Sequence, residues 1–361
     1  MMSDWKTVTL SSIISFSNGK KRPKNSGCIP VYGGNGVLDY ADSNNYENCI
    51  IIGRVGVYCG SVYYENGKCW VSDNAIAALP LDCTDVHFAY YLLKSLHLNE
   101  RHIGTSQPLL TQGILNNIEC NIPELSEQKQ IASILYEIDS KITMNTAINE
   151  NLEQQAQALF KNLIADIQER VPFTSVIQVL GGGTPKTGKQ EYWNGEIPFF
   201  TPKDVGTPYV LTTEKNITPL GLDNCNSRLY PVNTVFLTAR GTVGKVSLAG
   251  VPMSMNQSCY ALAGKDGLHQ IIVYHYVLET VKALKHKASG AVFDAIITRD
   301  FDTESVPALS SEQIDSFIAV AEPIYSDILN RTIENQRLAA LRDMLLPKLM
   351  NGEIDVSAVK I

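Results

Sequence analysis

The chain has 361 residues, of which 44% are hydrophobic, and a formal net charge of −7. This length and composition suit two globular domains and exclude a largely disordered chain. No apolar run of about 18 residues is present, and the start lacks the basic-then-apolar pattern of a signal peptide, so we expect a cytoplasmic protein without a membrane span.

The first predicted domain covers residues 1–124. Apolar runs bounded by turn residues, such as CIPVYGGNG and NCIIIGRVGVYCG, predict short strands, and VHFAYYLLKSLHL (86–98) predicts a helix. A basic cluster near residue 20 is either a solvated face or a contact for nucleic acid. The candidate contact residues in this domain are Lys20, Lys21, Arg22, Lys24, Arg54, Asn74, Thr105, Ser106 and Gln107.

A long helix is predicted over residues 125–169. Apolar residues follow a 4-3-4-3 spacing, which is typical of the seam of a coiled coil, and no proline or glycine interrupts them. This segment has three basic and seven acidic residues, which suits protein partners better than DNA. The predicted seam consists of Ile131, Leu135, Ile138, Ile142, Asn149, Leu152, Leu159 and Leu163.

The second predicted domain covers residues 170–308. Runs such as EIPFFTPKDVG, NTVFLTARGTVG and MSMNQSCYALAG predict strands, and HQIIVYHYVLETVKAL (269–284) predicts a helix. The candidate contact residues here are Lys186, Lys189, Lys203, Arg240, Lys245, Asn256 and Gln257.

Two pairs of residues match between the domains. Arg54 and Arg240 each follow a predicted strand at a glycine-rich turn, where the guanidinium could bind a phosphate, a guanine edge or the carbonyls of the turn. Asn74 and Asn256 could cap a turn or bond an adenine edge.

A second helix and tail are predicted over residues 309–361. Pro323 is expected to kink the helix, and Pro347 and Gly352 are expected to mark its end. Its seam residues are Ile328, Asn335, Leu338 and Leu345. Since neither long helix can bury its apolar stripe alone, we expect the two to pair antiparallel.

The chain contains an internal repeat. IPELSEQKQIASILYEIDSKI (122–142) corresponds to VPALSSEQIDSFIAVAEPIYSDI (306–328), and shorter matches lie upstream of each copy. We therefore predict an α+β fold in which two globular domains, each of short, mostly antiparallel strands plus one helix, are separated by two long antiparallel coiled-coil helices with pseudo-twofold symmetry. Such a molecule would recognise two things at a fixed separation.

The sequence offers no catalytic or metal-binding constellation. The eight cysteines form no C-x-x-C pair, and the six histidines are scattered. GTPKTGKQ (183–190) approaches the phosphate-binding pattern, but Gln190 replaces the hydroxyl residue and no helix is predicted to follow. An enzyme of nucleotide chemistry built on this loop is the weaker hypothesis.

The phrases LSEQKQIA, LSSEQI and LRDMLLPKLMNGEIDV resemble the specificity subunit of type I restriction-modification systems, over essentially the whole chain. The resemblance implies a non-enzymatic subunit with two target-recognition domains that read the halves of a bipartite, asymmetric site in double-stranded DNA. It further implies that the helices fix the gap and dock two methylation subunits, with restriction-translocase subunits joining for cleavage. S-adenosylmethionine and ATP would be bound by those partners, and no cofactor by this chain.

A second hypothesis is a coiled-coil scaffold that carries two protein-binding modules. It predicts no sequence-dependent contact with DNA by either module.

Overall fold

The computed structural model describes residues 5–104, 107–206, 208–287 and 295–357. Contacts within it divide the chain into two compact units. Unit 1 consists of residues 1–142 and 337–361, and unit 2 consists of residues 143–336. Each long helix contributes residues to both units.

Unit 1 begins with a β-rich module. Its elements, up to and including the first long helix, are β1 (Lys6–Thr9), β2 (Ile14–Asn18), β3 (Ser26–Gly33), β4 (Gly36–Ala41), β5 (Tyr46–Gly53), β6 (Val62–Val71), β7 (Ala75–Pro80), α1 (Val86–Ser95), α2 (Gln112–Asn116), β8 (Glu119–Ile122) and α3 (Leu125–Ile164).

Six strands form the central sheet of unit 1 in the order β2-β7-β5-β6-β3-β4, and all neighbours are antiparallel except β3 and β6. Ile50 and Ile52 of β5 pack in the cluster that contains Phe88 of α1, whereas Ile51 packs on the opposite face with Cys69. Because residues 49–53 of β5 are buried on both faces, this part of the strand is a continuous apolar run rather than an alternating one.

Unit 2 repeats this plan with shorter strands. Its further elements are β9 (Arg170–Pro172), α4 (Phe173–Val176), β10 (Ile177–Gly181), β11 (Trp193–Phe200), β12 (Tyr209–Val210), β13 (Asn216–Ile217), α5 (Pro219–Asp223), β14 (Val235–Thr238), β15 (Val246–Ala249), β16 (Ser254–Met255), β17 (Cys259–Gly264), α6 (Gln270–Lys287), α7 (Thr298–Asp302), β18 (Ser305–Pro307) and α8 (Ser311–Met350).

The strand order β10-β17-β14-β15 in unit 2 corresponds to β2-β7-β5-β6 in unit 1. Where β6 is continuous, unit 2 has two separate strands, β15 and β16, and β16 pairs in parallel with β11 just as β6 pairs with β3. The prediction of short, mostly antiparallel strands with one main helix in each module is confirmed.

The two long helices run in opposite directions where they meet. In unit 2, Asn145 of α3 bonds Asn335 of α8, whereas Asn149, one turn later in α3, bonds the carbonyl of Ile328. In unit 1, Arg342 Nη1 donates to Asp139 Oδ1 at 2.7 Å. Within the described ranges, no helix combines the length and apolarity needed to cross a bilayer.

The prolines of α8 do not end the helix. The helix continues past the exposed Pro323, and it also continues past Pro347, whose carbonyl accepts from Asn351 N at 3.0 Å. The helix ends where Gly352 adopts φ +70 and Glu353 N donates back to Lys348 O. This is the Schellman arrangement, so the predicted role of Gly352 is confirmed and that of Pro347 is wrong.

Part of the predicted seam also needs correction. Leu159 is 42% exposed, whereas the neighbouring Phe160 is 1% exposed. A strict seven-residue repeat drifts by about 20° per heptad relative to a straight helix, so after four heptads the buried face has moved by one residue. The other predicted seam residues are buried or half-buried: Ile131, Leu135, Ile138, Ile142, Asn149, Leu152, Leu163, Ile328, Asn335, Leu338 and Leu345.

Candidate nucleic-acid interface

Four segments of unit 1 meet beside the turn that follows β5, and we call them the loop platform of unit 1. They are residues 19–24, 54–60, 72–74 and the described parts of 101–110. Arg54 N donates to Asn74 O at 3.0 Å, and Leu110 N donates to Arg54 O at 2.9 Å. Lys20 N donates to Val71 O at 3.0 Å. Backbone hydrogen bonds thus hold all four segments together.

Unit 2 has a loop platform with the same hydrogen bonds, formed by residues 182–190, 239–245, 256–258 and 295–297. Ala239 N donates to Ser258 O at 2.8 Å, and Ile296 N donates to Ala239 O at 3.0 Å. Gly183 N donates to Met255 O at 3.2 Å. A further loop containing Lys203 joins this platform, because Thr242 Oγ1 donates to Pro202 O at 3.0 Å.

The central turn of each platform lies between two glycines with positive φ. These are Gly56 (φ +76) and Gly60 (φ +86) in unit 1, and Gly241 (φ +78) and Gly244 (φ +73) in unit 2. Side chains other than glycine are strained in this region of backbone conformation. The two glycines therefore define the turn, and Val57 and Tyr58 in unit 1 and Thr242 in unit 2 are exposed at its tip.

The structure brings the described candidate residues together within each unit. In unit 1, the side chains of Lys20, Lys21, Arg22, Lys24, Asn74 and Gln107 are exposed on the platform, and Arg54 is half-buried in its centre. In unit 2, the exposed candidates are Lys186, Lys189, Lys203, Arg240, Lys245 and Gln257, and Asn256 is half-buried. Thr105 and Ser106 lie outside the described residues.

The predicted pairing of residues between the two domains is wrong in detail. In unit 2, Ala239 makes the backbone hydrogen bonds that Arg54 makes in unit 1, so Ala239 is the counterpart of Arg54. Arg240, the next residue, is therefore the counterpart of Val55. Likewise, Asn256 corresponds to Ser72. In unit 1, Ala75 N donates to Ser72 O, and in unit 2 the equivalent bond runs from Cys259 N to Asn256 O. Identical residue types do not mark equivalent positions here, because strand register decides which side chain occupies each position.

Several cations near the platforms already have partners. Lys189 pairs with Glu191 at 3.3 Å, and Lys203 pairs with Glu214 at 3.4 Å, both on exposed surface where such pairs contribute little. In contrast, Arg54 Nε is buried and has no hydrogen-bond partner within the part of the chain that the structure describes. The backbone of Arg54 is fixed by its hydrogen bonds to Asn74 and Leu110, and its side chain brings a buried donor, Nε, to the platform.

The cysteines beside the central turn are structural. Cys59 Sγ donates to Arg54 O at 3.3 Å, and burial raises the pKa of the Cys59 thiol. Burial also raises the pKa of Cys259, the first residue of β17, to about 12. A thiol that stays protonated at neutral pH is a poor nucleophile.

The 183–190 loop does not have the geometry of a phosphate-binding loop. It leads into a short 3-10 helix, Gln190–Tyr192, and then into β11. A phosphate cradle needs the amides and dipole of a following α-helix. The hypothesis of nucleotide chemistry at this loop therefore loses its structural basis.

Gln128 is a structural residue that the sequence analysis did not single out. It is 1% exposed, accepts from Asp85 N at 3.1 Å and donates to Pro123 O at 3.0 Å. Asp85 in turn caps α1 by accepting from His87 N and Phe88 N. The glutamine of the LSEQ phrase thus ties the start of α3 to the start of α1.

A polar cluster lies between the long helices in unit 2. Asn145, which is 0% exposed, donates to Glu334 Oε2 at 2.8 Å and to Asn335 Oδ1 at 2.9 Å, and accepts from Arg331 Nη1 at 3.2 Å. The 4-3-4-3 spacing of the first long helix includes Asn145 as well as Asn149, but it does not predict the partners of Asn145.

The family model "Type I restriction modification DNA specificity domain" matches residues 2–154 and again residues 169–317. The chain belongs to this specificity-domain family. The two matches follow the internal repeat and together cover most of the chain, so the predicted family is confirmed. Its named relatives are specificity subunits, the non-catalytic components of type I restriction-modification complexes, and the prediction that the chain is not an enzyme is confirmed by that membership.

Among the relatives of this specificity-domain protein is the HindI specificity subunit of Haemophilus influenzae. It is 24% identical over 327 residues, which are 68% of this chain and 71% of the relative. The MjaIX specificity subunit of Methanocaldococcus jannaschii is 31% identical over 188 residues, 51% of this chain and 43% of the relative. The crystal structure of a type I restriction-modification S subunit from M. genitalium is 17% identical, covers 96% of both chains and has a TM-score of 0.65, which supports the fold.

Proposed function

We propose that this chain is the DNA-reading subunit of a type I restriction-modification complex and that it recognises a bipartite, asymmetric site in double-stranded DNA. Each unit would read one half-site with its loop platform. Cations of the platform would contact phosphates, and the residues of the central turn and of segments 72–74 or 256–258 would contact base edges.

One observation carries this proposal: the two platforms share their backbone hydrogen bonds but not their side chains. Arg54, Val55 and Val57 in unit 1 correspond to Ala239, Arg240 and Thr242 in unit 2. A common scaffold with unlike contact residues is what two unlike half-sites require. Both platforms also expose lysine, arginine and amide side chains, which suit phosphates and base edges better than they suit a protein-binding module.

We further propose that α3 and α8 form an antiparallel coiled coil with pseudo-twofold symmetry that sets the gap of the site. Two methylation subunits would dock on these helices, and restriction-translocase subunits would join for cleavage. The acidic composition of the helices supports protein partners rather than DNA on these surfaces. S-adenosylmethionine and ATP would be bound by those subunits and not by this chain.

Mapping of adenine methylation by long-read sequencing tests the proposal. The chain is co-expressed with its neighbouring methylation subunit, and the control strain lacks the chain. A bipartite motif that appears only in the presence of the chain is the expected result. A soluble complex that produces no methylation and binds no DNA contradicts the proposal and favours the protein-binding scaffold.

Exchange of one domain tests the division of labour. Residues 1–124 are replaced by the equivalent segment of another specificity-domain protein, and the methylated motif is mapped again. We expect one half-site to change and the other half-site and the gap to stay the same. If both halves change, the units do not read DNA independently.

A further inference from the structure

The central turn of the unit 1 platform exposes large apolar side chains. Val57 is 93% exposed, and its neighbour Tyr58 is 48% exposed. Ile103, in the adjacent loop, is 53% exposed. Isolated apolar residues on a surface are ordinary, but several on one small platform indicate a binding surface.

The turn that carries Val57 is held rigidly. Gly53 N donates to Ser61 O, and Gly60 N donates to Gly53 O, both at 2.8 Å. Gly56 N donates to Pro108 O at 3.0 Å, which fastens the turn to the neighbouring loop. That loop is itself paired, because Ile103 and Leu109 exchange two backbone hydrogen bonds. A side chain presented by an ordered turn loses little further freedom when it binds.

Cations accompany this apolar tip. Lys20, Lys21 and Arg22 are exposed on the same platform, and Lys20 N is bonded to Val71 O at the start of segment 72–74. A patch that combines an apolar tip with positive charge fits a polyanion that also offers an apolar group. Double-stranded DNA is such a partner, because the C5-methyl group of thymine is an apolar feature of the base edges in the major groove.

We infer that Val57 contacts the C5-methyl group of a thymine in the half-site read by unit 1. Tyr58 and Ile103 flank this contact and exclude water from it. The inference rests on the proposed function and names what the unit 1 turn reads. The turn of unit 2 has Arg240 and Thr242 where unit 1 has valines, so a guanidinium and a hydroxyl group are added at these two positions.

The test uses the complex of the full chain with its methylation subunit and a fluorescent duplex that carries the mapped site. Thymines of the unit 1 half-site are replaced one at a time by deoxyuridine, which removes only the methyl group. For the wild-type chain, we expect one replacement to weaken binding about fourfold, the effect of one buried methyl-sized group. With Val57→Ala, we expect the same replacement to change binding less than about twofold, because the partner of the methyl group is gone.

Two controls separate this contact from other effects. Leu81→Ala removes a side chain that is 41% exposed at the far end of β7 from segment 72–74, and it should leave the response to deoxyuridine as in the wild type. Replacement of thymines in the other half-site should have the same effect on the wild type and on Val57→Ala.

Three outcomes overturn the inference. A wild-type complex that binds the mapped site but responds to no thymine replacement shows that no methyl group is read, while the proposed function stands. Val57→Ala that weakens association with the methylation subunit in the absence of DNA shows that the tip contacts protein. A wild-type complex that binds no specific DNA removes the proposed function and this inference with it.

Discussion

Asn149 and Asn335 make the same hydrogen bond from opposite long helices. Asn149 Nδ2 donates to Thr332 Oγ1, and Asn335 Nδ2 donates to Thr146 Oγ1, each at 3.3 Å. The two asparagines are 186 residues apart, and so are the two threonines. The same separation relates Asn145 and Arg331, which are hydrogen-bonded to each other. The repeat in the sequence is therefore repeated in the contacts between the helices, as a local twofold relation would require.

Asn145→Leu should destabilise unit 2. The change removes the hydrogen bonds that Arg331, Glu334 and Asn335 make with the buried Asn145 amide, and we expect the free energy of unfolding to fall by about 2–3 kcal/mol. Urea unfolding followed by circular dichroism measures the change. Asn149→Leu is the matched control. It removes two hydrogen bonds of 3.3 Å, to Ile328 O and Thr332 Oγ1, but it also removes Oδ1, which is buried without a partner in the described structure, so it should cost less than about 1 kcal/mol. Equal losses for both variants would contradict this reading of the polar cluster.

Gln128→Met should destabilise unit 1 by about 2–3 kcal/mol. The thioether fills the same space but leaves Asp85 N and Pro123 O without their hydrogen bonds. Gln313, the glutamine of the LSSEQ phrase, accepts from Ser310 N at 2.9 Å within its own helix start and is less buried. Gln313→Met should therefore cost less than about 1 kcal/mol in the same measurement.

Protonation of His275 should destabilise unit 2 in acid. Its side chain is buried beside Tyr325, whose hydroxyl lies 3.1 Å from Nε2, and burial lowers the pKa of His275 to about 3 from 6.5. Between these values the unfolded chain binds a proton that the folded chain does not, so the free energy of unfolding falls as pH decreases below 6.5. The expected slope is about 1.4 kcal/mol per pH unit. Unfolding curves of the wild type and His275→Phe from pH 7 to pH 4.5 measure the difference, and parallel profiles would contradict the assignment.

Lys245→Ala should weaken DNA binding by the complex without changing its specificity. Lys245 is exposed at the end of the unit 2 turn, where a flexible cation suits a phosphate rather than a base. We expect the plot of log affinity against log salt concentration to become less steep by about 0.9. The methylated motif should be unchanged, and a relaxed motif would instead place Lys245 at a base edge.

Much of the architecture follows from the sequence because the repeat, the seam and the strand runs are strong periodic signals. The long helices α3 and α8 begin within a few residues of their predicted starts. The errors are shifts of one or two residues, as at Phe160 and at the counterparts of Arg54 and Asn74. Such shifts cannot be predicted from the sequence pattern. They depend on how the buried face rotates along the helix and on strand register, and both are fixed only in the packed structure.

The pairs of positive-φ glycines have a consequence for how binding specificity can diversify. Because Gly56 and Gly60 supply the backbone bend, the exposed side chain of Val57 is not needed to form the turn. In contrast, Cys59 is buried in the core, and Thr242 in unit 2 bonds the carbonyl of Pro202. Substitutions at Val57 can therefore accumulate without passing through unfolded variants. A combinatorial library confined to the tip would therefore yield variants that recognise different DNA sequences on an unchanged fold.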